Sequence, residues 1–137
     1  MRLTADDEGL LRSSGTPLHY SRGDVLARKD TTMGGLIIVR NGRVRLELND
    51  RRGACALAIM EPIHIIGEGV LLGGEREHLS IFAEDEVEAE VIDGRVLREM
   101  VGASPAFAAR LFRAIASVLA DRCAQMARTA APPLGWE

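Results

Sequence analysis

No apolar run in the 137 residues approaches the ~20 needed for a bilayer-spanning helix, so no membrane span is expected. The opening residues, Met1-Arg2-Leu3-Thr4-Ala5-Asp6-Asp7-Glu8, are acidic and lack the apolar stretch of a secretory signal. Basic excess is also missing. Seventeen Lys and Arg stand against twenty Asp and Glu, for a net charge of −3. A general nucleic-acid binder needs the opposite balance facing the phosphates. Cysteine is scarce: Cys55 and Cys123 lie far apart, each with apolar neighbours, and form no metal-type pair. That usage excludes a disulfide scaffold and suits a reduced, cytoplasmic domain. Internal repeats and low-complexity segments are absent. What is present is 47% hydrophobic and 27% charged residues, the balance of a globular protein and not of a disordered chain. The length suits one domain, and at this size a single core needs no covalent staples.

Residues 4–13 predict a short helix, with Thr4 as N-cap and acidic residues in the first turn opposing the positive end of the helix dipole. Its small apolar face must pack on something larger. Residues 17–92 then carry strand signals separated by turn signals, at a spacing that points to a sandwich or barrel. Arg22-Gly23-Asp24 reads as a turn. Leu36-Ile37-Ile38-Val39 is continuous and β-branched, as in a buried strand. Asn41-Gly42 offers the positive φ angles of a two-residue hairpin turn. In the next strand Val44, Leu46 and Leu48 alternate with Arg43, Arg45 and Glu47. Asp50-Arg51-Arg52-Gly53 turns again, Ala54–Met60 returns, Pro62 interrupts and Ile63–Ile66 resumes. Glycines at 67, 69, 73 and 74 bound a helical turn, and Leu79–Ala83 and Val87–Ile92 complete the β zone.

From Gly94 the period becomes helical. Arg95–Val101 predicts one short helix. Ser104-Pro105 starts a long one, with Ser as N-cap and Pro at the first helical position, running to about Thr129. Its apolar sector holds Leu111, Ile115, Val118, Leu119, Cys123 and Met126. Arg122 falls inside that sector, read as a stem on apolar surface with its guanidinium reaching water. Pro132 and Pro133 prevent the tail 130–137 from continuing the helix.

This order and these motifs resemble the cyclic nucleotide-binding domain family, of the catabolite activator type, over roughly residues 4–129. The residues that carry the resemblance are Arg22-Gly23-Asp24, Leu36 to Val44, Pro62 ahead of Gly67-Glu68, Leu71-Leu72, and the closing helix pair. It implies a mainly β fold with flanking helices: a jelly roll (double-stranded β-helix) with a short N-terminal helix and two C-terminal helices. Residues 1–137 would form one domain, with a helix at 4–13, the roll at 17–92, C-terminal helices at 95–129 and a tail at 130–137.

In that family a glycine-edged turn, the phosphate-binding cassette, offers backbone N–H groups to the cyclic phosphate, as a helix N-terminus does. The resemblance puts Gly67, Glu68, Gly69, Val70 and Leu71 in this turn. Gly67 would allow close approach, and Glu68 would accept a hydrogen bond from the ribose 2′-hydroxyl. The family also places an arginine about ten or eleven positions beyond the cassette glycine, and that count falls on Glu77 or His78. A glutamate repels phosphate, and an imidazole is mostly neutral at neutral pH and does not replace a bidentate guanidinium. Arg76 comes earlier and would serve only with a shortened loop. Ile63 and Lys29 also stand where the family often has glycine.

The resulting expectation is a regulatory, ligand-sensing module, not an enzyme, with weak or lost cyclic nucleotide affinity. It would pass a signal through its last helix or act as a constitutive interaction domain. The alternative is a working cAMP or cGMP sensor that uses Arg76. A third reading, a cupin-like metalloenzyme, has only His64-x-x-x-Glu68 behind it, because the companion positions are Pro62 and Ile66. No catalytic residue, metal or resident cofactor is expected, and any ligand would be cAMP or cGMP. The glycines also read simply as turn punctuation and Glu68 as a solvated loop carboxylate. His19, His64 and His78 show no ligand spacing. A homodimer through helix 105–129 is expected from the width of its apolar stripe. Only eight residues follow Thr129, too few for the DNA-binding domain that transcription-controlling relatives add, so this chain is not expected to bind nucleic acid.

Overall fold

The computed structural model describes residues 3–50 and 53–129. Helix α1 spans Ala5–Ser14, one residue later at each end than the sequence pattern, with Thr4 capping it from outside. Thr4 Oγ1 accepts the Asp7 N–H at 3.1 Å, and the Asp7 carboxylate accepts the Thr4 N–H at 3.0 Å. This reciprocal box satisfies two donors that the first turn leaves open. Leu11 is the fully buried apolar anchor that seats the helix on the roll.

Eight strands follow among the described residues: β1 Thr16–Tyr20, β2 Val25–Ala27, β3 Gly35–Asn41, β4 Val44–Asp50, β5 Gly53–Met60, β6 His64–Ile66, β7 Ser80–Ala83 and β8 Val87–Asp93. They form two antiparallel sheets, in the orders β1-β8-β3-β6 and β2-β7-β4-β5. The result is a jelly roll. A 3₁₀ turn at Glu68–Leu71 lies between β6 and β7. Helix α2 (Gly94–Ala103) and helix α3 (Pro105–Thr129) close the chain.

Strand β3 explains its own unbroken apolar run. Ile37 and Val39 point into the roll, where they meet Val44, Leu46, Ile66 and Ile81. Leu36 and Ile38 point the other way, into a second core with Leu11, Leu97 and Leu111 from the three helices. A strand covered on both faces has no polar alternation to show.

The structure corrects the hairpin expected at Asn41-Gly42. Strand β3 pairs with β8 and β6, whereas β4 pairs with β5 and β7, so the two flank no hairpin. Gly42 has φ +85°, but Asn41 is not in the left-handed region. The dipeptide is a corner that carries the chain from one sheet to the other. A Cβ at Gly42 would collide with the Glu86 carbonyl. The turn expected at Asp50–Gly53 falls partly, and the tail 130–137 wholly, outside the described residues.

Asp93 caps α2 by accepting the Arg95 N–H at 2.8 Å. This helix begins at Gly94 and runs two residues past Val101, so it is longer than the 95–101 expected. Ser104 Oγ accepts the Phe107 N–H at 3.2 Å at the start of α3, as its N-cap position requires. Phe107, Leu111, Ala114, Ile115 and Val118 turn one face of α3 inward. The helix lies against α2, β5 and β6, which carries its second half over the end of β6. Among the described residues, no helix is long and apolar enough to cross a membrane.

Candidate functional site

The site begins where β6 ends. Gly67 turns the chain with φ +88° and ψ 22°, a left-handed conformation that side chains disfavour. Its carbonyl accepts the Val70 N–H at 3.2 Å, and the Gly69 carbonyl accepts the N–H groups of Leu72 and Gly74, each at 2.9 Å. Of these three donors Val70 lies within the turn, and Leu72 and Gly74 fold the following residues back onto it. Val70 is buried, and its carbonyl accepts a 3.3 Å bond from Arg98 on α2. Gly67 and Gly69 are buried too, and Leu71 is half-buried.

Glu68 projects toward α3. Its carboxylate lies 3.5 Å from Arg122 Nη1, with only 15% of the Glu68 side chain and 12% of Arg122 exposed. Arg122 Nη2 donates to the Ile65 carbonyl at 2.9 Å and sits 3.1 Å from His64 Nε2. A guanidinium has only donors, so His64 Nε2 must be the accepting nitrogen and the ring proton sits on Nδ1. Burial first, and then the Arg122 charge, lower the His64 pKa to about 3. The imidazole is neutral at neutral pH. This overturns the reading of Arg122 as a snorkelling residue: its guanidinium turns inward, because two acceptors at the end of β6 and one carboxylate wait there. Arg122 Nε and Glu68 Oε2 remain buried without a hydrogen-bond partner.

Glu77 is the second carboxylate. Its backbone bridges to the 30–31 loop, donating to the Thr31 carbonyl at 2.8 Å and accepting from the Asp30 N–H at 2.7 Å. The residue is 9% exposed. Burial and the neighbouring Glu68 charge raise its pKa, while Arg122 and His78 act in the opposite direction. Glu68, Glu77, His78 and Arg122 line a cavity of about 270 Å³, walled by apolar side chains of β7 and α3. Arg76 is not in its lining: the guanidinium is exposed and donates to the Asp30 carbonyl at 2.7 Å. Among the described residues, no group of three or more His, Cys, Asp or Glu is placed to hold a metal.

Of the residues nominated from sequence, the structure gathers Gly67, Glu68, Gly69, Val70 and Leu71 into one turn. It adds the exposed His78 at the cavity and leaves Arg76 outside. Sequence reasoning missed the contribution of α3, above all Arg122. The signal was there, since a charge inside an apolar helical sector needs a partner or water.

The roll, the glycine-led turn and the closing helices together define a sensor-type domain fold. The cyclic nucleotide-binding domain model matches residues 17–104, from β1 to the cap of α3. The chain belongs to the cyclic nucleotide-binding domain family. It is 26% identical over 121 residues to Cyclic GMP-binding protein C of Dictyostelium discoideum, covering 88% of this chain and 5% of that protein. The chain thus spans a small fraction of that relative. Among solved structures, it is similar to the N-terminal domain of a transcriptional regulator from Streptomyces coelicolor A3(2). That likeness has 26% identity and a TM-score of 0.70, over 88% of this chain and 86% of that one. A cyclic nucleotide-binding domain from Methylobacillus flagellatus KT superposes with a TM-score of 0.81 at 16% identity, over 98% of this chain and 78% of that one.

Proposed function

We propose that the chain is a non-catalytic regulatory domain that keeps the family fold but binds cAMP and cGMP weakly or not at all. Glu77 carries this reading. A phosphate entering the cavity would meet the carboxylate of this buried residue at one of the two positions, 77 or 78, where the family's arginine is expected, with Glu68 lining the same cavity. Losing a charge-assisted contact costs about 1.5–3 kcal/mol, roughly ten- to a hundred-fold in affinity, before any repulsion. Arg122 does not replace the missing contact, because it is already held by Glu68, His64 and the Ile65 carbonyl. These bonds tie α3 to the glycine-led turn through Glu68 and to β6 through His64 and Ile65, which fits a standing interaction module.

The domain acts as a pair of chains through α3. Phe112, Ala116, Leu119, Cys123 and Met126 recur at alternating steps of four and three, the spacing of a helix-pairing seam. Phe112, Ala116 and Cys123 are exposed and available to a second chain, whereas Leu119 and Met126 are half-buried against the chain's own cores.

Calorimetric titration with cAMP and cGMP tests the nucleotide reading. No saturable binding is expected at low micromolar concentration, and submicromolar binding would overturn the proposal. Such binding, abolished by Arg76→Ala, would instead support a sensor whose loop moves Arg76 to the phosphate.

A further inference from the structure

The part of the cavity wall that α3 supplies comes wholly from the second half of the helix: Leu119, Arg122, Cys123 and Met126. This half is attached differently from the first. Val118 is the last buried residue of α3, and from Leu119 to Arg128 none is buried. Segments with few buried contacts are the first to open locally. Leu119 and Met126 rest half-buried against the two cores, and Arg122 adds its bonds to Glu68, His64 and the Ile65 carbonyl. The turn that carries Glu68 is anchored separately, because Val70 is buried and Arg98 of α2 donates to its carbonyl. Opening therefore lifts the helix and leaves the turn in place. Closure is also incompletely satisfied. Arg122 Nε and Glu68 Oε2, one donor and one acceptor, are both buried without a partner, and both regain water when the helix lifts.

We propose that residues 119–129 of α3 form an autoinhibitory lid, hinged after Val118 and latched across the cavity by the chain's own Arg122 on Glu68. The proposal rests on the reading that these bonds make a standing contact of α3. Arg122 occupies the carboxylate that a ligand in the cavity would need, so the two compete for Glu68. A ligand that engages Glu68 displaces Arg122 and loosens the lid instead of drawing it closed. Removing either partner has the same effect, because a guanidinium or a carboxylate left buried without its counter-charge favours the open, hydrated state.

The test is amide hydrogen exchange on the full chain, read by mass spectrometry at one protein concentration. It compares the wild type with Arg122→Gln, Glu68→Gln and the double variant. Wild-type amides of 119–129 should be protected, though less than those of 105–118. Either single substitution should speed exchange across 119–129 about ten-fold or more, the effect of losing a charge-assisted contact. The amides of 105–118 and of β3 should keep their wild-type rates, because the opening is local. Added to Arg122→Gln, Glu68→Gln should change nothing further, since both break one contact. Two substitutions that merely weaken the fold would act on β3 as well and would add. If Arg122→Gln fails to fold, Glu68→Gln alone decides between local and global opening. Unprotected 119–129 in the wild type, wild-type rates in Glu68→Gln, equal acceleration in β3, or additive effects overturn the proposal. Titration with cAMP and cGMP tests the nucleotide reading separately: tight binding by the wild type defeats that reading, whereas unchanged exchange in the variants defeats the latch alone.

Discussion

Arg110 of α3 grips the buried carboxylate of Asp7 in α1 with two bonds, from Nε at 2.6 Å and from Nη2 at 2.9 Å. The same carboxylate closes the cap of α1, so one side chain holds a helix start and ties the N-terminal helix to the last one. Arg110 first, and the Thr4 bonds after it, hold the Asp7 pKa far below the usual carboxylate range against the opposing effect of desolvation.

The sign of the pH effect follows. A carboxyl whose pKa is depressed in the folded state stabilises the fold above its unfolded value, near 3.9, and loses that contribution as pH falls. Asp7→Asn should lower Tm at pH 7, and the gap to wild type should narrow steadily below about pH 4. Thermal melts across that range check it. A gap that stays constant with pH would show that the charge on Asp7 is not what matters.

His64 gives a different window. Its folded pKa, about 3, lies below the ordinary value of 6.5, so only the unfolded chain takes up this proton between those limits. Stability should therefore fall as pH drops from about 6.5 toward 3, by about 1.4 kcal/mol per unit at most. Nuclear magnetic resonance should show the His64 ring not titrating down to about pH 4, with Arg122→Gln moving its titration upward because a positive neighbour is removed. Titration of the wild-type ring near 6.5 would contradict the buried, neutral assignment.

Reversing the charge at position 77 tests the nucleotide reading directly. Glu77→Arg removes a carboxylate and adds a guanidinium in the cavity, and cAMP affinity is expected to rise about ten- to a hundred-fold. Calorimetry on the variant and the wild-type protein measures the difference. Unchanged affinity would mean that another residue blocks the nucleotide.

The proposed pairing through α3 would bring Cys123 to the seam between the two chains. Mild oxidation should yield a disulfide-linked dimer that Cys123→Ser abolishes and Cys55→Ser does not. Light scattering should show Leu119→Asp shifting the protein to a particle near 14.8 kDa, the mass of one chain. A wild-type mass already at that value across a concentration series would remove the dimer.

Much of the fold was legible because the relevant signals are local. Thr4 and Ser104 declared their caps, and the alternation through Val44 and Leu46 matches strand β4, where both are fully buried. The failures share one cause, which is that the deciding partner is remote in sequence. Asn41-Gly42 looks like a hairpin turn until β8 claims β3, a pairing no local pattern announces. The glycine-led turn at 67–71 was legible for the same reason the caps were, since its glycines lie close together in the sequence. Arg122 was not, because its partners Glu68, His64 and Ile65 lie more than fifty positions earlier.

Strand β3 is apolar on both faces, and this changes what prevents it from slipping along β8. In an ordinary half-exposed strand, a one-residue slip throws the core side chains into water. Here it would exchange Ile37 and Val39 for Leu36 and Ile38, and every one would still be buried. Burial alone is therefore a weak judge of alignment. The two glycines at the ends take that task. A Cβ at Gly35 would strike the Ile92 carbonyl, and one at Gly42 would strike the Glu86 carbonyl. A slip in either direction brings a side chain to one of these tight points. Alignment of the central strand is set by two places where nothing but hydrogen fits.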